Sequence, residues 1–184
     1  MSTSPDTVLS DRTLKRRSRV AAGLCLGAAV FLPLSVLAAL ALGNGASALY
    51  ASRIGLSLSH APSGAAIILA TIVALLPALC ASAALLSARR FLSHVADGRW
   101  FDQTAGRAIR NMGLWGIAGA ICGLVAPSLI GLILTAGAAA GERSLVISIG
   151  SGPLLALLFG AVLYLIGDVM RRAAALSADH ASII

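Results

Sequence analysis

Four long apolar runs, roughly Val20 to Leu42, Ala65 to Leu86, Met112 to Leu134 and Pro153 to Met170, alternate with short polar segments along the chain. A helix needs about 20 mainly apolar residues to cross a hydrocarbon core of roughly 30 Å. The pattern therefore predicts an all-α fold, an integral membrane bundle of four transmembrane helices. Residues Met1 to Ser18 mix Ser, Thr, Asp and Pro with a basic cluster and have no apolar period. They read as a disordered basic segment, with the transmembrane domain occupying residues 19–184.

Within the runs, small residues and prolines stand at informative places. Ala66, Ala70, Ala74 and Ala78 recur every fourth residue in the second run, which sets small side chains along one helical face. Lipid gives helices no hydrophobic reward for associating, so close contact relies on such positions. Gly116, Gly119, Ala120 and Gly123 repeat the device in the third run. Pro33 and Pro127 remove backbone donors inside the first and third helices, and neighbouring helices can cover the groups this frees. Ser151-Gly152-Pro153 opens the fourth, where proline suits a first helical turn.

Composition strengthens the membrane reading. The 184 residues are 58% hydrophobic and 11% charged, whereas soluble domains carry about 25% charged residues. A disordered or soluble nucleic-acid-binding chain is excluded by this balance, and no direct nucleic acid binding is expected. The net charge of +7 instead falls at the ends of the runs, where basic residues set orientation and meet anionic lipid headgroups.

The basic residues are also sorted. Arg12, Lys15, Arg16, Arg17 and Arg19 precede the first run, Arg89, Arg90, Arg99, Arg107 and Arg110 lie between the second and third, and Arg171 and Arg172 follow the fourth. Only Arg53 and Arg143 occupy the other two connections, a split of twelve against two. Short basic loops stay in the cytoplasm, so both termini are expected there. A cleaved signal peptide is disfavoured because Val20 to Leu42 spans 23 residues, beyond the roughly 7 to 15 of a signal core.

Candidate chemistry is sparse. Cys25, Cys80 and Cys122 lie in three different runs without ligand spacing, so neither a disulfide framework nor a metal site follows. His60, His94 and His180 fall in connecting or terminal segments. Asp168 is the sole acid within a run, and Arg171 and Arg172 follow it at helical spacing, which predicts an ion pair at the headgroup boundary rather than a proton relay. Ser82 and Ser128 have no histidine, lysine or paired carboxylate within the runs to activate them, so an enzyme is not expected and no cofactor is implied.

The second connection reads Ala96-Asp97-Gly98-Arg99-Trp100-Phe101-Asp102-Gln103, then Ile109-Arg110-Asn111-Met112-Gly113. Gly98 can turn the chain, Trp100 and Phe101 suit the membrane interface, Asp102 can cap the next helix and Arg110 can reach headgroups. Upstream, Phe91, Leu92 and Val95 share one face of a short expected surface helix. This pattern resembles the bacterial membrane family known as domain of unknown function 2975, through Gly98, Phe101, Arg110 and Gly113. The ending, with Leu176, Asp179, His180 and Ile184, is similar too, although the family usually has Glu-Asn at the Asp179-His180 positions and Leu where Ile109 stands. The resemblance extends from about Arg19 to the end. It implies a four-helix membrane protein without an established activity, and an association with small helix-turn-helix regulators.

Taken together with what the bacterial resemblance implies, these readings point to a non-enzymatic multi-pass protein expected in the inner, cytoplasmic membrane. Its candidate contact surface for a soluble helix-turn-helix regulator comprises Gly98, Trp100, Phe101 and Arg110 beside the basic end of the fourth helix. The alternative is a small transporter or channel subunit, which with four spans and one marginal acid would have to act as an oligomer.

Overall fold

The computed structural model describes residues 5–41, 52, 62–97, 103–136 and 151–181. Among them the chain forms four long α-helices: α1 (Pro5–Ala41), α2 (Gly64–Ala96), α3 (Gln103–Thr135) and α4 (Ser151–Ala181). Each contains one of the apolar runs and is long and apolar enough to cross a membrane. Their outward faces carry Leu24, Phe31, Ile72, Leu76, Phe159 and Leu165 in exposed positions, an apolar surface suited to lipid rather than water. The chain is built as a multi-pass membrane protein.

The helices begin where local chemistry allows. Ser63 stands before α2 in an extended conformation, and its Oγ accepts the Ala66 amide N–H at 3.3 Å, satisfying one of the donors a helix start leaves over. Pro153 occupies the first turn of α4, where its missing N–H costs nothing.

Two helices run further than the apolar pattern indicates. α1 is helical from Pro5, well before the expected start near Arg19. A proline suits a first turn, and a chain already helical inside the membrane extends outward without a new nucleation cost. The short surface helix expected around Phe91 to Val95 is instead the continuous end of α2. Nothing in Leu86 to Ala96 breaks the helix, because Ala, Leu and Arg all favour it. At 33 residues α2 is about 50 Å long, so it projects well beyond a core of roughly 30 Å.

Packing follows chain order. α1 lies on α2, α2 on α3 and α3 on α4, and no other pair of these helices packs extensively among the described residues. The four form a row, with α2 and α3 inside it. Between these two, Ala70 is fully buried and shares a cluster with Ala126, Ile130 and Leu134. Ala74 packs against the same cluster, so two of the four regularly spaced alanines face α3 directly.

Successive helices are antiparallel. Ser82 meets Ala29, Cys80 lies level with Gly119, and Gly113 opposes Gly160. The start of α1, the end of α2, the start of α3 and the end of α4 consequently share one end of the row. That end bears Arg16, Arg17, Arg19, Arg89, Arg90, Arg107, Arg110, Arg171 and Arg172. Arg53 and Arg143, expected at the opposite end, lie outside the described residues.

Candidate functional site

The basic end of the α3–α4 pair is organised by glycine. Gly106 and Gly113 on α3, and Gly160 and Gly167 on α4, are each seven residues apart, which is close to two turns and keeps each pair on one face. A Cβ on Gly113 would meet the Tyr164 amide nitrogen and stand 2.6 Å from the Gly160 carbonyl oxygen. One on Gly160 would lie 2.9 Å from the Ile117 nitrogen, and one on Gly167 would lie 2.8 Å from Arg110 Cα. The two backbones are therefore in direct contact along the seam.

This contact fixes where the charged residues stand. The Arg110 backbone rests on Gly167, and the Arg171 backbone nitrogen is 3.1 Å from the Cβ position of Gly106. Arg110 and Arg171, sixty-one positions apart in the sequence, are thereby held on adjoining helices at the same end. The Gly113 of the Arg110-to-Gly113 element has a plain physical reason. A side chain there would collide with α4.

Asp168 projects from the next position of α4. Arg171 Nη2 donates to its Oδ1 at 2.9 Å, and Arg172 Nε donates to its Oδ2 at 2.9 Å. One carboxylate thus spans two guanidinium groups, three and four residues along the same helix. Its side chain is 20% exposed, whereas those of Arg171 and Arg172 are 42% and 76% exposed. Exposed guanidinium groups of this kind are what long basic side chains present near a membrane boundary. Arg171 Nε is buried without a hydrogen-bond partner among the described residues.

The hydroxyl groups inside the helices donate to backbone. Ser87 bonds the Ala83 carbonyl at 2.9 Å, Thr71 that of Ile67 at 2.9 Å and Thr135 that of Gly131 at 2.8 Å. Ser82 reaches across to α1 and donates to the Ala29 carbonyl at 2.7 Å, with its own Ala78 carbonyl at 2.9 Å. Among the described residues no three His, Cys, Asp or Glu side chains converge as metal ligands would.

Several sequence expectations are redrawn. Gly116, Gly119 and Gly123 do not serve one neighbour: Gly116 and Gly123 face α4 near Gly160 and Pro153, whereas Gly119 faces Cys80 on α2. Cys80 and Cys122, unrelated by sequence spacing, both lie at the α2–α3 interface, where Cys80 packs against Gly119, one turn before Cys122, and Cys122 stands beside Val73 and Leu76. Of the expected contact residues, Gly98, Trp100 and Phe101 lie outside the described residues and Arg110 stands at the seam, on the helix facing the one that carries the Asp168, Arg171 and Arg172 ion pairs. The close-contact role of Gly106, Gly113 and Gly167 was not read from the sequence. Its signal is the seven-residue spacing, which a search for small residues four apart passes over.

Comparison with curated proteins finds no match, and neither does comparison with solved structures. A family match begins at residue 46, beyond α1, and so takes in α2, the seam and all of the residues that carry the resemblance noted above. Over residues 46–184 the chain matches the family described as "Protein of unknown function (DUF2975)", and it belongs to that family.

Proposed function

We propose that this chain is a non-enzymatic protein of the bacterial inner membrane whose basic end faces the cytoplasm and docks a soluble helix-turn-helix regulator. The observation that carries the reading is the seam itself, which sets Arg110 of α3 beside Arg171 of α4 and leaves Arg172 largely exposed. Basic groups fixed on packed helices offer a preorganised surface, so less ordering is required when a partner arrives. Trp100 and Phe101, in the connection leading into α3, supply apolar side chains of the kind that dominate interfaces, with the arginines tuning encounter.

Orientation is tested with reporter fusions. Fusions after Ile184 and within residues 87–107 should read cytoplasmic, and those near Arg53 and Arg143 external. A periplasmic signal from the tail overturns the orientation. Docking is tested by affinity recovery from native membranes, comparing wild type with the double variant Trp100→Ala, Phe101→Ala. The expected result is co-purification of a helix-turn-helix protein that falls in the variant at equal amounts of inserted chain. Unchanged recovery means that the two rings only anchor the connection at the headgroups, and the docking reading fails.

A further inference from the structure

A groove of about 290 Å³ opens between α1 and α2 at the basic end of the row. Arg19 comes from α1 and Arg89 from α2, and both are exposed. Neither forms an ion pair within the described structure, whereas Asp97, the acid in the lining, is itself engaged. Ser93 also lines the groove, but its hydroxyl hydrogen goes to the Arg90 carbonyl at 2.7 Å, which leaves donation at the mouth to the guanidinium groups. Below the two arginines the wall becomes apolar at Gly23 and Leu26. A Cβ added to Gly23 would meet nothing within 4 Å, so the glycine leaves the groove open.

Position along the helices identifies the kind of occupant. Arg19 immediately precedes the apolar run of α1, and Arg89 follows that of α2 by three residues. Both guanidinium groups therefore stand at headgroup level, while Gly23 and Leu26 lie one and two turns further into the membrane. Guanidinium groups from two helices flanking one concavity suit a phosphate with bidentate donors. A free anion would use only the upper half of such a groove. An amphiphile with a phosphate at the boundary and a chain in the hydrocarbon would use all of it.

We infer that this groove is a discrete site for one anionic phospholipid, its phosphate between Arg19 and Arg89 and an acyl chain along Gly23 and Leu26. The site stands apart from the α3–α4 seam and does not depend on a docked regulator. It differs from general attraction of basic helix ends to anionic membranes, because two particular arginines and an open glycine define it.

The test uses the full chain purified in zwitterionic detergent, with thermal unfolding followed as phosphatidylglycerol, phosphatidylcholine or soluble glycerol phosphate is added. Phosphatidylglycerol should raise the midpoint, and native mass spectrometry should count one retained lipid. Arg19→Gln with Arg89→Gln should weaken this response by about tenfold or more. Gly23→Leu, which keeps both charges and fills the groove, should weaken it as well. Arg172→Gln, at the same end but outside the groove, should leave it unchanged. Equal loss in the Arg172 variant would show diffuse charge attraction and overturn the site, as would a full response in Gly23→Leu. An equal effect of glycerol phosphate or phosphatidylcholine would overturn the assignment to an anionic phospholipid.

Discussion

Ser82 on α2 donates its hydroxyl hydrogen to the carbonyl of Ala29 on α1, the carbonyl that Pro33 cannot serve. In a continuous α-helix that oxygen would accept from the amide of the residue four positions on, and proline has no amide hydrogen. A carbonyl left unpaired in hydrocarbon is costly, and a hydroxyl from a neighbouring helix is one of the few available remedies. The same bond ties α1 to α2 near the middle of both, so a local backbone defect becomes a point of attachment.

Ser82→Ala is expected to destabilise the α1–α2 pair by about 0.5 to 1.5 kcal/mol, the range of interhelical hydrogen bonds in membranes. In a Pro33→Ala background the helix regains its own donor, and the cost of losing Ser82 should shrink. A double-mutant cycle on reversible unfolding in mixed micelles measures this coupling. Additive effects would mean that the hydroxyl serves only Ala78.

Glycine substitutions should separate by location. Gly113→Ala places a methyl group 2.6 Å from the Gly160 carbonyl oxygen, so the α3 and α4 backbones must part, at a cost of about 1 to 3 kcal/mol. Gly27→Ala on α1 meets nothing within 4 Å and should be neutral or stabilising by up to about 1 kcal/mol through helix propensity. Unfolding of the two variants side by side checks the contrast. Equal stabilities would argue against a close α3–α4 contact.

The Cys80 and Cys122 pair gives a direct reading of the α2–α3 register. Mercuric ion bridges thiols that lie close together, so one equivalent should protect Cys80 and Cys122 from later alkylation and leave Cys25 reactive. Intact-mass and peptide measurements after denaturation report which thiols were labelled. Alkylation of all three would contradict the register that sets Gly119 beside Cys80.

Asp168→Asn should leave insertion and abundance intact and lower thermal stability only slightly. Its arginine partners are substantially exposed, at 42% and 76%, and exposed ion pairs contribute little after solvent screening. Thermal unfolding of the purified variant checks the stability, and complementation of any cellular phenotype checks the role. Loss of phenotype at normal abundance would assign the carboxylate a function beyond its two arginines.

The sequence speaks most clearly where one physical requirement dominates. Hydrocarbon thickness fixes the four apolar runs from Val20 to Met170, and Asp168 with Arg171 and Arg172 is legible because its partners lie on the same helix turn. Contacts between helices are less so. That Ser82 would serve Ala29 depends on how α1 and α2 align, and that Cys80 would lie against Gly119 depends on the alignment of α2 and α3. Neither register is written in either segment alone. The seven-residue glycine spacing of α3 and α4 is visible in the chain, but its meaning emerges only when the two series interlock in opposite directions. The extension of α1 back to Pro5 shows a further limit, since a polar stretch without an apolar period can still continue a helix started elsewhere.

The row arrangement has a consequence for how the protein is made. Each helix packs on the one synthesised just before it, so no helix must wait for a distant segment to find its main partner. α1 and α2 can join through Ser82 and Ala29 as soon as α2 has left the ribosome, and α3 can add to that pair before α4 is translated. A chain halted after α3 would still possess two of the three extensive helix interfaces found among the described residues. Biogenesis can thus proceed by stepwise addition from the N-terminal side, with the tight glycine seam of α3 and α4 closing last.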